Sequence, residues 1–133
     1  MKQITIMTQS KIDVIAEVTK ILAGANVNID NIVGEHYGSQ AIVNVTVDNE
    51  DIALNALQKR LDWQVVSEDV VLIKIKDEIG ALAKLSGRLA EKQVMIHSIR
   101  FVERHDGHAL VAISVENPIT GRSVLQDLLT TQA

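Results

Sequence analysis

The chain opens on a segment, Gln3–Thr8 (QITIMT), that alternates apolar and polar residues with the period of a half-buried strand. Val70–Lys76 (VVLIKIK) repeats that alternation towards its end. Behind the first lies an apolar stripe at three-and-four spacing, formed by Val14, Ile15, Val18, Ile21, Leu22 and Ala25. Behind the second, Leu82, Leu85 and Leu89 form the same stripe, flanked by Ala81 and Ala90. Such spacing predicts an amphipathic helix laid on a sheet. Ser10 and Asp77 stand where helix caps are expected, and Gly24 and Asn26 are expected to end the first helix in left-handed backbone. Second strands are predicted over Val27–His36 and Val94–Arg104, followed by the turns YGSQ and HDGH and by third strands AIVNVTV and ALVAISV. Asp106-Gly107 predicts a type I′ hairpin, because both central residues need positive φ. Second helices are predicted after Asn49 and after Asn117, where Pro118 suits the first helical position.

The pattern is written twice. Offsetting the sequence by 67 residues pairs Ile4–Ile32 with Val71–Ile99 and makes eight of 29 positions identical. All eight are apolar: Ile6/Ile73, Ile12/Ile79, Ala16/Ala83, Leu22/Leu89, Ala23/Ala90, Val27/Val94, Ile29/Ile96 and Ile32/Ile99. That selection reads as a repeated core with a diverged surface. The first half closes with a fourth strand, WQVVS, whereas the second runs as helix, ITGRSVLQDLLTTQA, to its end. The expected fold is α+β: two ferredoxin-like βαββαβ units in tandem, antiparallel sheets with helices on one face, the second unit lacking its fourth strand. The domains are placed at 1–67 and 70–133, joined by a linker at Ser67–Asp69.

Composition removes several function classes. In 133 residues, 47% hydrophobic and 23% charged, the balance is that of a globular protein. No apolar run is long enough for a bilayer and no secretory leader opens the chain, so no membrane association and a cytoplasmic location are expected. A net charge of −4 argues against nucleic acid, which requires a basic footprint. The first and third strands carry no aromatic residue on which a base could stack. Absence of cysteine removes thiolate metal sites, and His105 and His108 beside the Asp-Gly turn, with His36 and His97, lack a third ligand at fixed spacing. No metal and no cofactor are expected. Nothing pairs a nucleophile with a base, so no catalytic residues are assigned.

The stretch KDEIGALAKLSGRLAEKQVMIHSI carries an acid, two residues, a glycine, one residue and a leucine, then a helix and a strand. It resembles the opening of an ACT domain, a small regulatory module that senses amino acids. The first half keeps the helix pattern and the strand opening ANVNIDNI but has Asp13 in place of glycine. Together the halves resemble a tandem ACT pair over almost the whole chain. The resemblance implies a ligand site at Asp77, Glu78, Ile79, Gly80, Ala81 and Leu82, facing Asn26, Asn28 and Ile29 of the other half. A weaker counterpart is implied at Ser10, Lys11, Ile12 and Asp13, where the extra carboxylate repels a ligand carboxylate and Met95 replaces the strand asparagine. Helix N-terminal N–H groups would take a ligand carboxylate and Asp77 an ammonium.

The expected function is non-catalytic: a sensor binding an amino acid at the junction of two ACT units, with any regulated enzyme or regulator on a separate chain. The alternative is a ligand-free assembly module or a trans-acting regulatory subunit of a metabolic enzyme. An unpaired edge at Val70–Lys76, guarded only by Lys74 and Lys76, leads to the expectation of a homodimer or larger homo-oligomer.

Overall fold

The computed structural model describes residues 2–130, and these divide into two compact units, Lys2–Glu68 and the chain from Asp69 on. The first unit runs β1 (Lys2–Gln9), α1 (Val14–Gly24), β2 (Ile29–Tyr37), β3 (Gln40–Val47), α2 (Glu50–Gln58) and β4 (Gln64–Asp69). The second runs β5 (Val71–Lys76), α3 (Ala81–Glu91), β6 (Ile96–His105), β7 (His108–Val115) and α4 (Pro118–Val124), then a 3-10 turn at Gln126–Leu128. The sheets have the orders β2-β3-β1-β4 and β5-β7-β6. Their β1–β3, β2–β3, β5–β7 and β6–β7 pairings are antiparallel.

Each unit has its own core. Ile4, Ile6, Val43 and Val45 meet Val14, Val18, Leu22, Leu57 and Trp63 in the first. Ile73, Val111 and Ile113 meet Leu85, Leu89, Val94 and Leu125 in the second. Four of the eight repeated identities are therefore not core positions. Ile12 and Ile79 stand wholly in solvent at 104% and 106% relative exposure, Ile32 and Ile99 are exposed on β2 and β6, and the two alanine pairs are exposed on α1 and α3.

The helix ends explain where β2 and β6 begin. Asn26 (φ 59°) and Gln93 (φ 57°) are left-handed; Asn26 N–H donates to Ala23 O and Val27 N–H to Leu22 O, as Gln93 N–H does to Ala90 O and Val94 N–H to Leu89 O. This six-to-one closure holds Val27 and Val94 as plugs against the helix, so the strands start two residues later than expected. Gly24 stays in the helix as its last residue with ordinary backbone, and Asn26 alone turns left-handed.

The expected caps lie elsewhere too. Asp13 and Gly80 are the N-cap residues of α1 and α3, and neither makes a side-chain cap bond. Asn49 and Asn117 do cap α2 and α4, accepting from Ile52 N–H and Thr120 N–H at 3.2 Å each. The turn at Asp106-Gly107 has both residues at positive φ (52° and 75°), as a type I′ hairpin requires.

Two boundaries move. The expected linker, Ser67–Asp69, is the end of β4, where Ser67 Oγ donates to Glu50. A polar run serves as an edge strand because only one of its faces meets a core. α4 stops at Val124, and Leu129 forms an antiparallel bridge with Ile73 while Thr130 N–H donates to Leu72 O at 3.0 Å. The edge of β5 is thus capped at its start by the returning chain. The end of the expected long helix, residues 131–133, lies outside the described residues. Among the described residues no helix is long and apolar enough to cross a membrane.

Candidate functional site

The loop between β5 and α3 is built by the hairpin beside it. Asp77 N–H donates to Gly107 O at 2.9 Å, the same bond that Ser10 N–H makes to Ser39 O at 2.8 Å in the first unit. From there the two loops diverge. Gly80 takes φ 86°, a left-handed conformation that strains any residue with a Cβ, whereas Asp13 takes φ −96°. The glycine is demanded by the backbone itself, and a Cβ added there would meet no atom within 4 Å.

The open space beside Gly80 is a cavity of about 350 Å³, floored by Ile75 and lined by Asp77, Glu78, Gly80, Ala81, Leu82, Phe101 and Arg104. Five of the six residues implied by the ACT resemblance in this loop are thus brought together. Ile79, the sixth, points into solvent at 106% exposure. Ala81 N–H is donated to Glu78 O (3.2 Å) and is not a free donor. Leu82 and Ala83, also in the first helical turn, have no carbonyl four residues back within the helix and present their N–H groups instead.

Ile75, Lys76 and Ala83 adjoin the expected loop, but two cavity residues from β6, Phe101 and Arg104, were not expected from the sequence. Spaced three apart on a regular strand, they would face opposite ways. A bulge between Phe101 and Glu103 shifts the register, so that Phe101 pairs with Val111 and Arg104 with Ala109 and both face the helix side. The Arg104 guanidinium lies 4.0 Å from the Phe101 ring centroid, and its Nε is 3.5 Å from Asp77 Oδ2. Asp77 is therefore already partnered by a cation. The mouth carries a stacked guanidinium able to take a carboxylate and an acid able to take an ammonium.

The remaining expected residues lie in the first unit. Asn26 serves as the left-handed helix stop, Asn28 N–H donates to Asp48 Oδ1 at 3.0 Å, and Ile29 packs against the core. In the weaker loop Ser10 Oγ bonds His36 Nδ1 at 2.6 Å, Lys11 O accepts from Val14 N–H, Ile12 is fully exposed, and Asp13 O accepts from Glu17 N–H. Among the described residues no group of three or more metal-binding side chains forms; His105 Nε2 meets Asp106 Oδ2 at 3.1 Å and His97 Nε2 meets Glu116 at 2.8 Å.

No protein-family model matches the chain, and no curated protein matches it in sequence. Solved structures do match in fold. Protein BT0572 from Bacteroides thetaiotaomicron is 29% identical, with a TM-score of 0.74 over 95% of this chain and 86% of that one. The ligand-free regulatory subunit of aspartate kinase from Thermus thermophilus is 20% identical, with a TM-score of 0.63 over 97% and 92%. The corresponding subunit from Thermus flavus is 17% identical, with a TM-score of 0.61 over 95% and 90%.

Proposed function

We propose that this chain, whose fold is that of a tandem ACT protein, is a non-catalytic regulatory sensor that binds a free amino acid at the Asp77–Leu82 loop. The observation that carries the reading is the pairing, across one open cavity, of Arg104 and the first-turn N–H groups with the carboxylate of Asp77. A zwitterion finds an opposite partner for each of its ends there, and Phe101 and Ile75 offer apolar surface to a side chain. The fold shared with aspartate kinase regulatory subunits supports a regulatory role, with the regulated enzyme carried on a separate chain.

A thermal-shift screen of the twenty amino acids tests this, because a ligand that binds only the folded chain must raise its apparent stability, by about 2.7 kcal/mol at a hundredfold excess over Kd. At least one amino acid is expected to raise the Tm of the wild type and to lose most of that effect in Arg104→Gln. A flat screen, or an equal shift in the variant, overturns the reading.

A further inference from the structure

A second groove lies on the same unit, between the end of β5, α3 and the 3-10 turn. It is a cavity of about 230 Å³ with aliphatic walls from Ile75, Ala81, Leu85 and Leu128. Lys76 and Lys84 stand at its rim against one acid, Glu78, and Arg88 is engaged by Asp127 at 2.6 Å. The bridge at Ile73–Leu129 stops short of it; towards Lys76, on the edge of β5 away from β7, no strand is paired among the described residues.

The first unit supplies the template for what fills such a groove. With the 67-residue offset, Thr8 corresponds to Ile75, Val14 to Ala81, Glu17 to Lys84 and Val18 to Leu85. Over those positions the first unit lays its own chain. Thr8 Oγ1 reaches Asp62 O at 3.5 Å, Arg60 Nη1 reaches Glu17 Oε2 at 3.5 Å, Trp63 is buried in the core with Val14 and Val18, and β4 continues alongside β1. The second unit has apolar residues at Ile75, Ala81 and Leu85 and reverses the charge, with a lysine where Glu17 receives a cation.

We infer that this groove is a docking site for an extended segment of a partner protein carrying one aromatic side chain and flanking acids. The aromatic ring enters between Ala81, Leu85 and Leu128, the acids face Lys84 and Lys76, and the backbone extends the sheet along the open end of β5 at Lys74–Lys76, beyond the Ile73–Leu129 bridge. A second copy of this chain is a poor occupant: pairing two β5 edges antiparallel about Ile75 sets Lys74 of one against Lys76 of the other, and like charges directly opposite are destabilising. The inference does not depend on amino-acid binding at the Gly80 loop.

The chain's own filler, LDWQVVSED (residues 61–69), has the required chemistry and serves as the probe. Titrated as a fluorescent peptide into the full-length protein, it is expected to bind saturably at micromolar concentration and to shift the methyl signals of Ile75, Leu85 and Leu128. Lys84→Glu and, separately, Leu128→Asp are expected to weaken it tenfold or more with the Tm of each variant checked, and a probe with its three acids changed to lysine is expected not to bind. Absence of saturable binding overturns the inference. So does equal binding of the lysine probe, perturbation of Val14 and Val18 instead, or a dimer of the wild type that Lys84→Glu dissociates.

Discussion

Asp13 and Gly80 occupy one position of the repeat and adopt opposite signs of φ. An L-residue forced into the left-handed region costs about 1–2 kcal/mol. Gly80→Ala is therefore expected to lower stability by roughly 1 kcal/mol in urea unfolding, while Asp13→Gly gains nothing, since its backbone is already ordinary. Gln93 presents the converse case. It holds φ 57° at a helix stop where glycine is usual, so Gln93→Gly is expected to raise stability by about 0.5–1 kcal/mol, net of the entropy glycine adds to the unfolded chain. The left-handed Asp106-Gly107 pair was legible because its residue types suit nothing else. Gln93 was not, since glutamine carries no turn signal and only the closure of Val94 on Leu89 imposes the conformation.

At the scale of elements, the end of α4 decides the state of the β5 edge. Arg88 bonds Val124 O and both carboxylate oxygens of Asp127, and this tie holds the 3-10 turn from which Leu129 and Thr130 return to β5. The Arg88 hydrogen bonds hold the Asp127 carboxyl below its ordinary range. A folded-state pKa below the unfolded value gives stability that is present above about pH 4 and lost as pH falls through the lower, folded-state value. Amide exchange at Thr130, corrected for its intrinsic pH dependence, is expected to lose protection on acidification below pH 4, and to do so at every pH in Asp127→Asn. The asparagine caps of α2 and α4 were readable in advance, and Asn49→Ala or Asn117→Ala should cost about 1 kcal/mol each in thermal unfolding. The polar tail of β4 and the bulge that turns Phe101 and Arg104 to one side were not readable, because neither leaves a periodic trace.

For the molecule as a whole, the repeat predicted two α+β units and the structure has them, with a three-stranded second sheet. The units are not interchangeable. Only one has the glycine-turned loop beside a stacked arginine, so calorimetric titration with the amino acid found in the screen is expected to give one site per chain; two equivalent sites would refute the asymmetry. Their aromatic contents differ just as sharply. The chain has one tryptophan, one tyrosine and one phenylalanine, and Trp63 and Tyr37 both belong to the unit Lys2–Glu68, with Trp63 buried beneath Arg60 at 4.2 Å from its ring centroid. The unit from Asp69 on carries Phe101 alone, so it is optically silent to excitation at the red edge of tryptophan absorption. Intrinsic emission then follows the unfolding of one unit while far-ultraviolet dichroism follows both, and the gap between the two curves measures how tightly the halves are coupled without any label.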